Sequence, residues 1–268
     1  MKIVIKIGGD LIKGGLPAGL VDELASIGEE HSVILVHGGG DIVTEIATRL
    51  GHPPRFITSP KGFRSRYTDK ETAEIYTMVM AGRINKEIVS TLQSRGIQAI
   101  GLSGLDGGLV RAQRKKQIVA LDERGRKMLM EGDYTGTIEK VNESLLRLLL
   151  DNGYMPVLSA LAMSNKAEPL NVDGDRLAAS VASAIKADSL VLLTDVEAVR
   201  INDKPVTAMR AYEVREVLDQ IGPGMITKLY AALEAIDGGV DEVHIASGLK
   251  ERPVASALSH GSGTVIRR

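Results

Sequence analysis

Lys6 stands two residues ahead of Gly8-Gly9, and His37 leads directly into Gly38-Gly39-Gly40. A third glycine cluster runs from Gly101 to Gly108. All three follow short apolar runs that read as strands. Glycine at such a turn lets the chain take φ > 0 and lets backbone N–H groups approach an anion with no Cβ in between. One cluster alone is an ordinary strand-to-helix turn; three at one sheet edge point to phosphate binding. Lys6 supplies positive charge beside the first of them. Missing strings narrow the chemistry. The sequence has no G-x-x-x-x-G-K-S/T, no G-x-G-x-x-G in its first turn, and no H-R-D with D-F-G. P-loop, dinucleotide-binding and protein-kinase sites are thereby excluded.

These turns need strands that end side by side. Ile3 to Ile7 reads as a strand, Leu20 to Glu30 as a helix, and Ser32 to Val36 as a second strand. Asp41 to Leu50 is helical, and Thr72 to Arg95 is one long helix or a pair, followed by the strand Ala99 to Leu102. Such alternation, with strands that are continuous apolar runs, predicts an α/β fold. The expected form is a three-layer αβα sandwich on a mostly parallel central sheet. Residues 109–140 break the rhythm with many charges, Gly125, Gly132 and Gly136, and β-favouring pieces such as Gln117-Ile118-Val119-Ala120. Inserted β-hairpins at the sheet edge are expected there. Helix 142–152, strand Met155 to Leu158, helix 174–187 and strand Ser189 to Leu193 come next. After a loop over 196–210, helices near 211–219 and 224–238 lead to the strand Glu242 to Ala246 and a short terminal strand. No Pro-rich linker or internal repeat divides the chain. A single domain over 1–268 is predicted, its functional halves (1–170 and 171–268) meeting near residue 170.

At 268 residues the chain is long enough for a substantial core, and 44% hydrophobic with 25% charged residues excludes wholesale disorder. The 33 basic and 34 acidic residues leave a net charge of −1, which argues against a general nucleic-acid or membrane-surface binder. Two Phe, six Tyr and no Trp give no base-stacking platform. The absence of cysteine removes disulfides, thiolate nucleophiles and cysteine metal sites. His31, His37, His52, His244 and His260 show no ligand spacing, so no metal cage is expected. The opening apolar run is too short for a signal peptide and no stretch reaches membrane-span length, so a cytoplasmic location is expected. Glycine is in excess, 29 residues or about one in nine, against an ordinary level of roughly 7%.

Lys6-Ile7-Gly8-Gly9, His37-Gly38-Gly39-Gly40, Asn171-Val172-Asp173-Gly174-Asp175, Leu193-Thr194-Asp195-Val196 and Gly224-Met225-Ile226-Thr227-Lys228 occur in that order. In order and spacing they resemble the amino-acid kinase family over essentially the whole chain, closest to its acetylglutamate kinase branch. Within that branch, Arg64-Ser65-Arg66-Tyr67-Thr68-Asp69 and Asn171 to Arg176 resemble the kinases of carrier-protein-dependent lysine biosynthesis. Those enzymes phosphorylate aminoadipate, in some organisms also glutamate, while its amino group is attached to a small acidic carrier protein. The resemblance implies ATP-dependent conversion of a side-chain carboxylate to an acyl phosphate, in lysine or arginine biosynthesis. The alternative is an N-acetyl-L-glutamate kinase, although such enzymes have a shorter segment around Arg64. Carbamate kinase and isopentenyl phosphate kinase do not account for both strings. A regulator that kept the fold and lost turnover is opposed by the presence of Lys6, Asp175 and Lys228.

A carboxylate nucleophile is already an anion, so the protein must align reactants and cancel charge but needs no general base. By resemblance, Lys6 sits between acceptor and transferring phosphate, Lys228 contacts the nucleotide phosphates, and Asp175 holds both ammonium groups. Gly8 and Gly9 are assigned as backbone donors on the nucleotide side, and Gly38 and Gly39 on the acceptor side. Arg64, Arg66 and Asn171 are candidates for the acceptor's α-carboxylate side and its amide linkage. Thr194, Asp195 and Met225 resemble the part that encloses adenine and ribose, with a capping role for Asp195 an equal reading. Mg²⁺ would come in with ATP, held largely by phosphates and water.

Charge is uneven locally. Arg111, Arg114, Lys115, Lys116, Arg124, Arg126 and Lys127 face only Asp122 and Glu123 in the same stretch. A charge run is usually a solvated face; beside the Arg64 to Asp69 string it becomes a candidate surface for the acidic carrier. A homodimer is expected through the helix near 82–95, with Ile84, Ile88, Thr91 and Leu92 on one face.

Overall fold

The computed structural model describes residues 1–60, 64–122 and 124–268. Eight strands form the central sheet in the order Ala208–Arg210, Thr264–Arg267, Glu242–Ser247, Ser189–Thr194, Lys2–Ile7, Ser32–His37, Met155–Ser159, Ala99–Leu102. Every adjacent pair is parallel except Glu242–Ser247 with Thr264–Arg267. Side chains alternate faces along a strand, so a run buried at successive positions must be covered on both faces. Ile3, Val4 and Ile5 are such a run, as are Ile34, Leu35 and Val36. The cover is two helical layers. Glu143–Asp151, Gly174–Ile185 and Met225–Asp237 pack on one another, and Ala18–Glu30 packs with Asn85–Gln93 and Pro253–Leu258. The predicted α/β sandwich is the observed one.

The first strand is the pivot. Strands that precede residue 170 lie on one side of Lys2–Ile7, and those that follow lie on the other. Connections leaving in opposite directions open a crevice at the carboxyl ends of the strands. Register aligns the contents of that crevice: Ile7 pairs with His37 on one side and Leu193 on the other, bringing Gly8, Gly38 and Thr194 level.

The inserted β region is present. Val110–Arg114 and Gly136–Val141 pair antiparallel and join Leu161–Met163 and Pro169–Asn171 in a four-stranded sheet. Gln117–Leu121 and Lys127–Glu131 extend from it as a hairpin. One reading changes. The stretch 196–210 contains the hairpin Val199–Ile201/Lys204–Val206 and an edge strand, although its short runs between polar turns read as loop. A hairpin of Arg55–Thr58 and Arg64–Tyr67, where no element is expected, carries Arg66. The candidate dimer helix is Lys70–Thr77, a wider π-type turn over Met78–Ile84, then Asn85–Gln93. Its Ile84, Ile88 and Leu92 pack on the core of this chain. No helix among the described residues is long and apolar enough to cross a membrane.

Candidate active site

Asp175 is the centre of the crevice. It lies in the first turn of the Gly174–Ile185 helix, whose N-terminus is capped by the Asp173 carboxylate accepting from the Arg176 amide at 2.9 Å. Lys6 Nζ lies 2.7 Å from one Asp175 oxygen, and Lys228 Nζ lies 3.2 Å from the other. All three side chains are 14% exposed or less. Burial alone raises a carboxyl pKa, yet the two ammonium groups outweigh it and hold Asp175 below the ordinary range. Asp173 goes the other way, pushed up by burial and then by its neighbour Asp175. The arrangement presents two buried cations on one carboxylate, a charge store that an incoming polyanion can engage.

The first two glycine clusters meet each other. A Cβ on Gly9 would lie 2.9 Å from the Gly39 nitrogen, and a Cβ on Gly38 would lie 2.8 Å from the Gly9 nitrogen. Any side chain there would cover a backbone amide, which explains glycine at both. A cleft of about 320 Å³ is lined by Lys6, Gly9, Gly39, Gly40, Arg66, Asn171 and Asp175, among others. The N-termini of the Gly40–Arg49 and Gly174–Ile185 helices open into it, adding favourable dipole ends for an anion.

Two of the assigned donors are corrected. The Gly8 amide donates to the Leu193 carbonyl and the Gly38 amide to the Ile7 carbonyl, both at 3.0 Å, continuing the sheet ladder. An amide already satisfied by a carbonyl is no donor to phosphate, which leaves Gly9 and Gly39 as the cleft-lining amides. The third cluster is corrected as well. It follows the edge strand Ala99–Leu102, two strands beyond Ser32–His37. There glycine serves close packing: a Cβ at Gly104 would lie 2.1 Å from the Leu161 carbonyl oxygen.

Of the residues expected to meet the acceptor, Arg66 donates through Nη2 to the Gly40 carbonyl and to Thr44 Oγ1, both at 2.8 Å, and stacks 5.2 Å over the Phe56 ring. Its buried Nη1 has no partner among the described residues. Asn171 donates from its backbone to the Tyr134 carbonyl at 2.8 Å and from its side chain to Thr68 Oγ1 at 3.2 Å. Arg66, Asn171 and Asp173 also line a second cleft of about 390 Å³ that continues to Lys115, Arg176 and Glu234. The side chain of Arg64 lies outside the described residues.

On the opposite side, Thr194 ends its strand level with Gly8 and donates to Asp195 Oδ1 at 3.0 Å. Asp195 is exposed and begins a bend, not a helix, so it caps no helix. Met225 opens the Met225–Asp237 helix, with Gly224 at φ +86°, and Lys228 follows within its first turn.

Several groups escaped the reading of residue types. Asp173 lies inside the Asn171 to Asp175 string, where residue type alone assigns it no role. Tyr76, buried on the long helix and lining the cleft, carries no local signal. Asp10 and Asp41 also line the cleft and share Lys13, at 2.7 and 2.6 Å. The basic stretch is smaller than its count: Arg114 pairs with Glu168 at 3.0 Å and Arg126 with Asp122 at 2.8 Å. Glu123 lies outside the described residues. The histidines are not all scattered either. His244 and His260 meet Glu242 with their ligand atoms within 4.8 Å of one another, at the far end of the Glu242–Ser247 strand from the cleft. Arg267 also binds Glu242 there, at 2.7 Å.

Comparison with known proteins agrees with this geometry. The family model described as "Amino acid kinase family" matches residues 1–247. A putative LysW-aminoadipate/LysW-glutamate kinase of Cenarchaeum symbiosum (strain A) is 51% identical over 265 residues, covering 98% of each chain. A LysW-aminoadipate/LysW-glutamate kinase of Saccharolobus islandicus (strain L.S.2.15 / Lassen #1) is 48% identical with the same coverage. Among solved structures, a Streptococcus mutans UA159 protein superposes with a TM-score of 0.80 at 26% identity, covering 99% of this chain and 98% of its own. Sheet order, the paired glycine turns, the two-lysine carboxylate centre and these matches have one conclusion: the chain belongs to the amino acid kinase family.

Proposed function

We propose that this phosphotransferase transfers the γ-phosphoryl group of ATP to the side-chain carboxylate of 2-aminoadipate, or of glutamate, held through its amino group on a small acidic carrier protein. A carboxylate oxygen attacks the γ-phosphorus, the bond to the β–γ bridging oxygen breaks, ADP leaves, and the product is an acyl phosphate. No proton is transferred. Lys6 neutralises the charge between acceptor and γ-phosphate, Lys228 engages the nucleotide phosphates, and Asp175 spaces the two ammonium groups. Gly9 and Gly39 donate amides to the transferring group. Arg66 and Asn171 hold the α-carboxylate side and the amide link of the acceptor. Thr194, Asp195 and Met225 border the nucleotide, so residues 171–268 serve mainly ATP and residues 1–170 mainly the acceptor. Mg²⁺ fits as a companion of the nucleotide: Asp10 and Asp41 are engaged by Lys13 and Asp175 by the lysines, so phosphate oxygens and water would hold most of it, and it would supply charge cancellation on the phosphates.

One observation carries the carrier-linked reading. The cleft at Lys6 and Asp175 shares Arg66, Asn171, Val172 and Asp173 with a neighbouring cleft that reaches Lys115 on the basic insert. A free acetylated amino acid needs only the first cleft, whereas an acceptor tethered to a protein needs an exit. Lys115 and Lys116 are exposed at the base of the hairpin and Arg124 and Lys127 toward its tip, with apolar Leu129, 63% exposed, on the strand that joins the two ends. That composition suits an acidic protein docked by charge around an apolar contact. The names of the relatives support the same acceptor. The test is a salt series. Turnover of the carrier-linked acceptor falls steeply with ionic strength, while any turnover of a small acetylated analogue does not. Equal salt dependence removes the docking role.

A further inference from the structure

Resting on the kinase reading, we infer that His37 and Asn85 are positioning residues, which aim the Gly39 amide into the phosphoryl-transfer cleft by fixing one tautomer of a buried imidazole. The chain of contacts starts at the π-type turn Met78–Ile84, a distortion that recurs at functional sites. Asn85 follows it and is fully buried. Its amide orientation is forced: Nδ2 donates to the Val157 carbonyl at 2.9 Å, and Oδ1 accepts from Lys86 Nζ at 3.1 Å. The remaining Nδ2 hydrogen faces His37 Nε2 at 3.2 Å, so Nε2 is the acceptor and the ring proton sits on Nδ1. Nδ1 then donates to the Gly38 carbonyl at 2.8 Å.

The consequence follows from the planar trans peptide, in which the carbonyl of Gly38 and the N–H of Gly39 point in opposite directions. Holding the carbonyl against His37 turns the Gly39 amide the other way, beside Gly9 and the cleft it lines. That amide has no protein partner among the described residues. Room for the network is made by Gly101, where a Cβ would lie 2.0 Å from Asn85 Oδ1 and 2.6 Å from Lys86 Nζ. Burial holds the His37 pKa down to about 4, partly opposed by the Gly38 carbonyl, so the ring stays neutral at physiological pH.

The test separates this role from folding and from the kinase reading itself. A ¹⁵N long-range spectrum of the intact protein, which needs no substrate, is expected to show His37 protonated on Nδ1, and Asn85→Asp to move the proton to Nε2. An Asn side chain places its amide near the position of His Nδ1, whereas Gln places its amide near Nε2. His37→Asn therefore retains turnover of the carrier-linked acceptor within about threefold, while His37→Gln loses roughly 100-fold in kcat with little change in KM for ATP. An Nε2-protonated ring in the parent overturns the inference, as does equal kcat in the two His37 variants. Where His37→Gln fails to fold, Asn85→Asp supplies the kinetic comparison. A parent that turns over no acceptor refutes the kinase reading and leaves the tautomer result to decide this one.

Discussion

Replacing Asp175 by Asn probes the charge centre with almost no change in shape. At an effective dielectric constant of about 20, the contacts at 2.7 and 3.2 Å have gross attractions of about 6 and 5 kcal/mol. Desolvation of three buried charges and repulsion between the ammonium groups offset most of that. Removing one partner of a buried ion pair nevertheless costs about 3–5 kcal/mol, because the remaining charge is left uncompensated. Here two ammonium groups are stranded, so the ligand-free variant is expected to melt about 10 °C below the parent. Nucleotide phosphates replace the missing anion, and the deficit shrinks when saturating ATP and Mg²⁺ are present during thermal denaturation. The carboxylate also carries a pH signature. Its folded pKa lies below the unfolded one, so its stabilisation is full above the unfolded value near 4 and is lost as pH falls through the folded value. A variant melting within 2 °C of the parent, or a deficit that nucleotide leaves unchanged, refutes the reasoning.

Other outcomes follow from the same geometry. Lys6→Ala and Lys228→Ala each lower turnover by about 100-fold or more at saturating substrate, and steady-state kinetics with near-parental kcat would remove the assignment. Gly39→Ala combines φ +144° with a Cβ 2.4 Å from Ile84 Cδ1, so it costs about 1–3 kcal/mol and kcat together; Gly14→Ala, with nothing within 4 Å, is neutral in the same denaturation assay. His37 and His244 have pKa values held down to about 4, chiefly by burial. The unfolded chain binds more protons between pH 6.5 and 4, so stability falls through that window by about 1.4 kcal/mol per unit for each ring. Urea midpoints that are equal at pH 7 and pH 5 contradict it. Lys115→Glu with Lys116→Glu raises KM for the carrier-linked acceptor about tenfold and leaves KM for ATP unchanged, as initial rates would reveal.

What was legible in the residues was local. Continuous Val and Ile runs ended by glycine announced strands that terminate side by side at one crevice, and Lys6 could be read from its place two residues before a turn. The third glycine cluster misled because glycine also serves close backbone packing, and Gly104 against Leu161 looks the same in sequence as Gly39 beside a cleft. Gly8 and Gly38 were over-read because which amides the sheet consumes depends on register between strands far apart in the chain. Asn85 faces inward just after a π-type turn that shifts the phase of every later residue, and no periodic pattern reports that shift; Tyr76, ahead of the turn, is one buried helix position among several and carries no local signal. His244 and His260 meet only because strand and helix fold back through the connection between them. The basic stretch was countable, but which of its charges are already paired required Glu168 from a different strand connection.

The central claim is the identity of the acceptor. ADP release should be measured with carrier-linked aminoadipate, carrier-linked glutamate and free N-acetylglutamate at equal concentration, with hydroxylamine present to trap the acyl phosphate. The account predicts robust ADP release and hydroxamate with a carrier-linked acceptor and little with the free compound. Turnover confined to free N-acetylglutamate would contradict it.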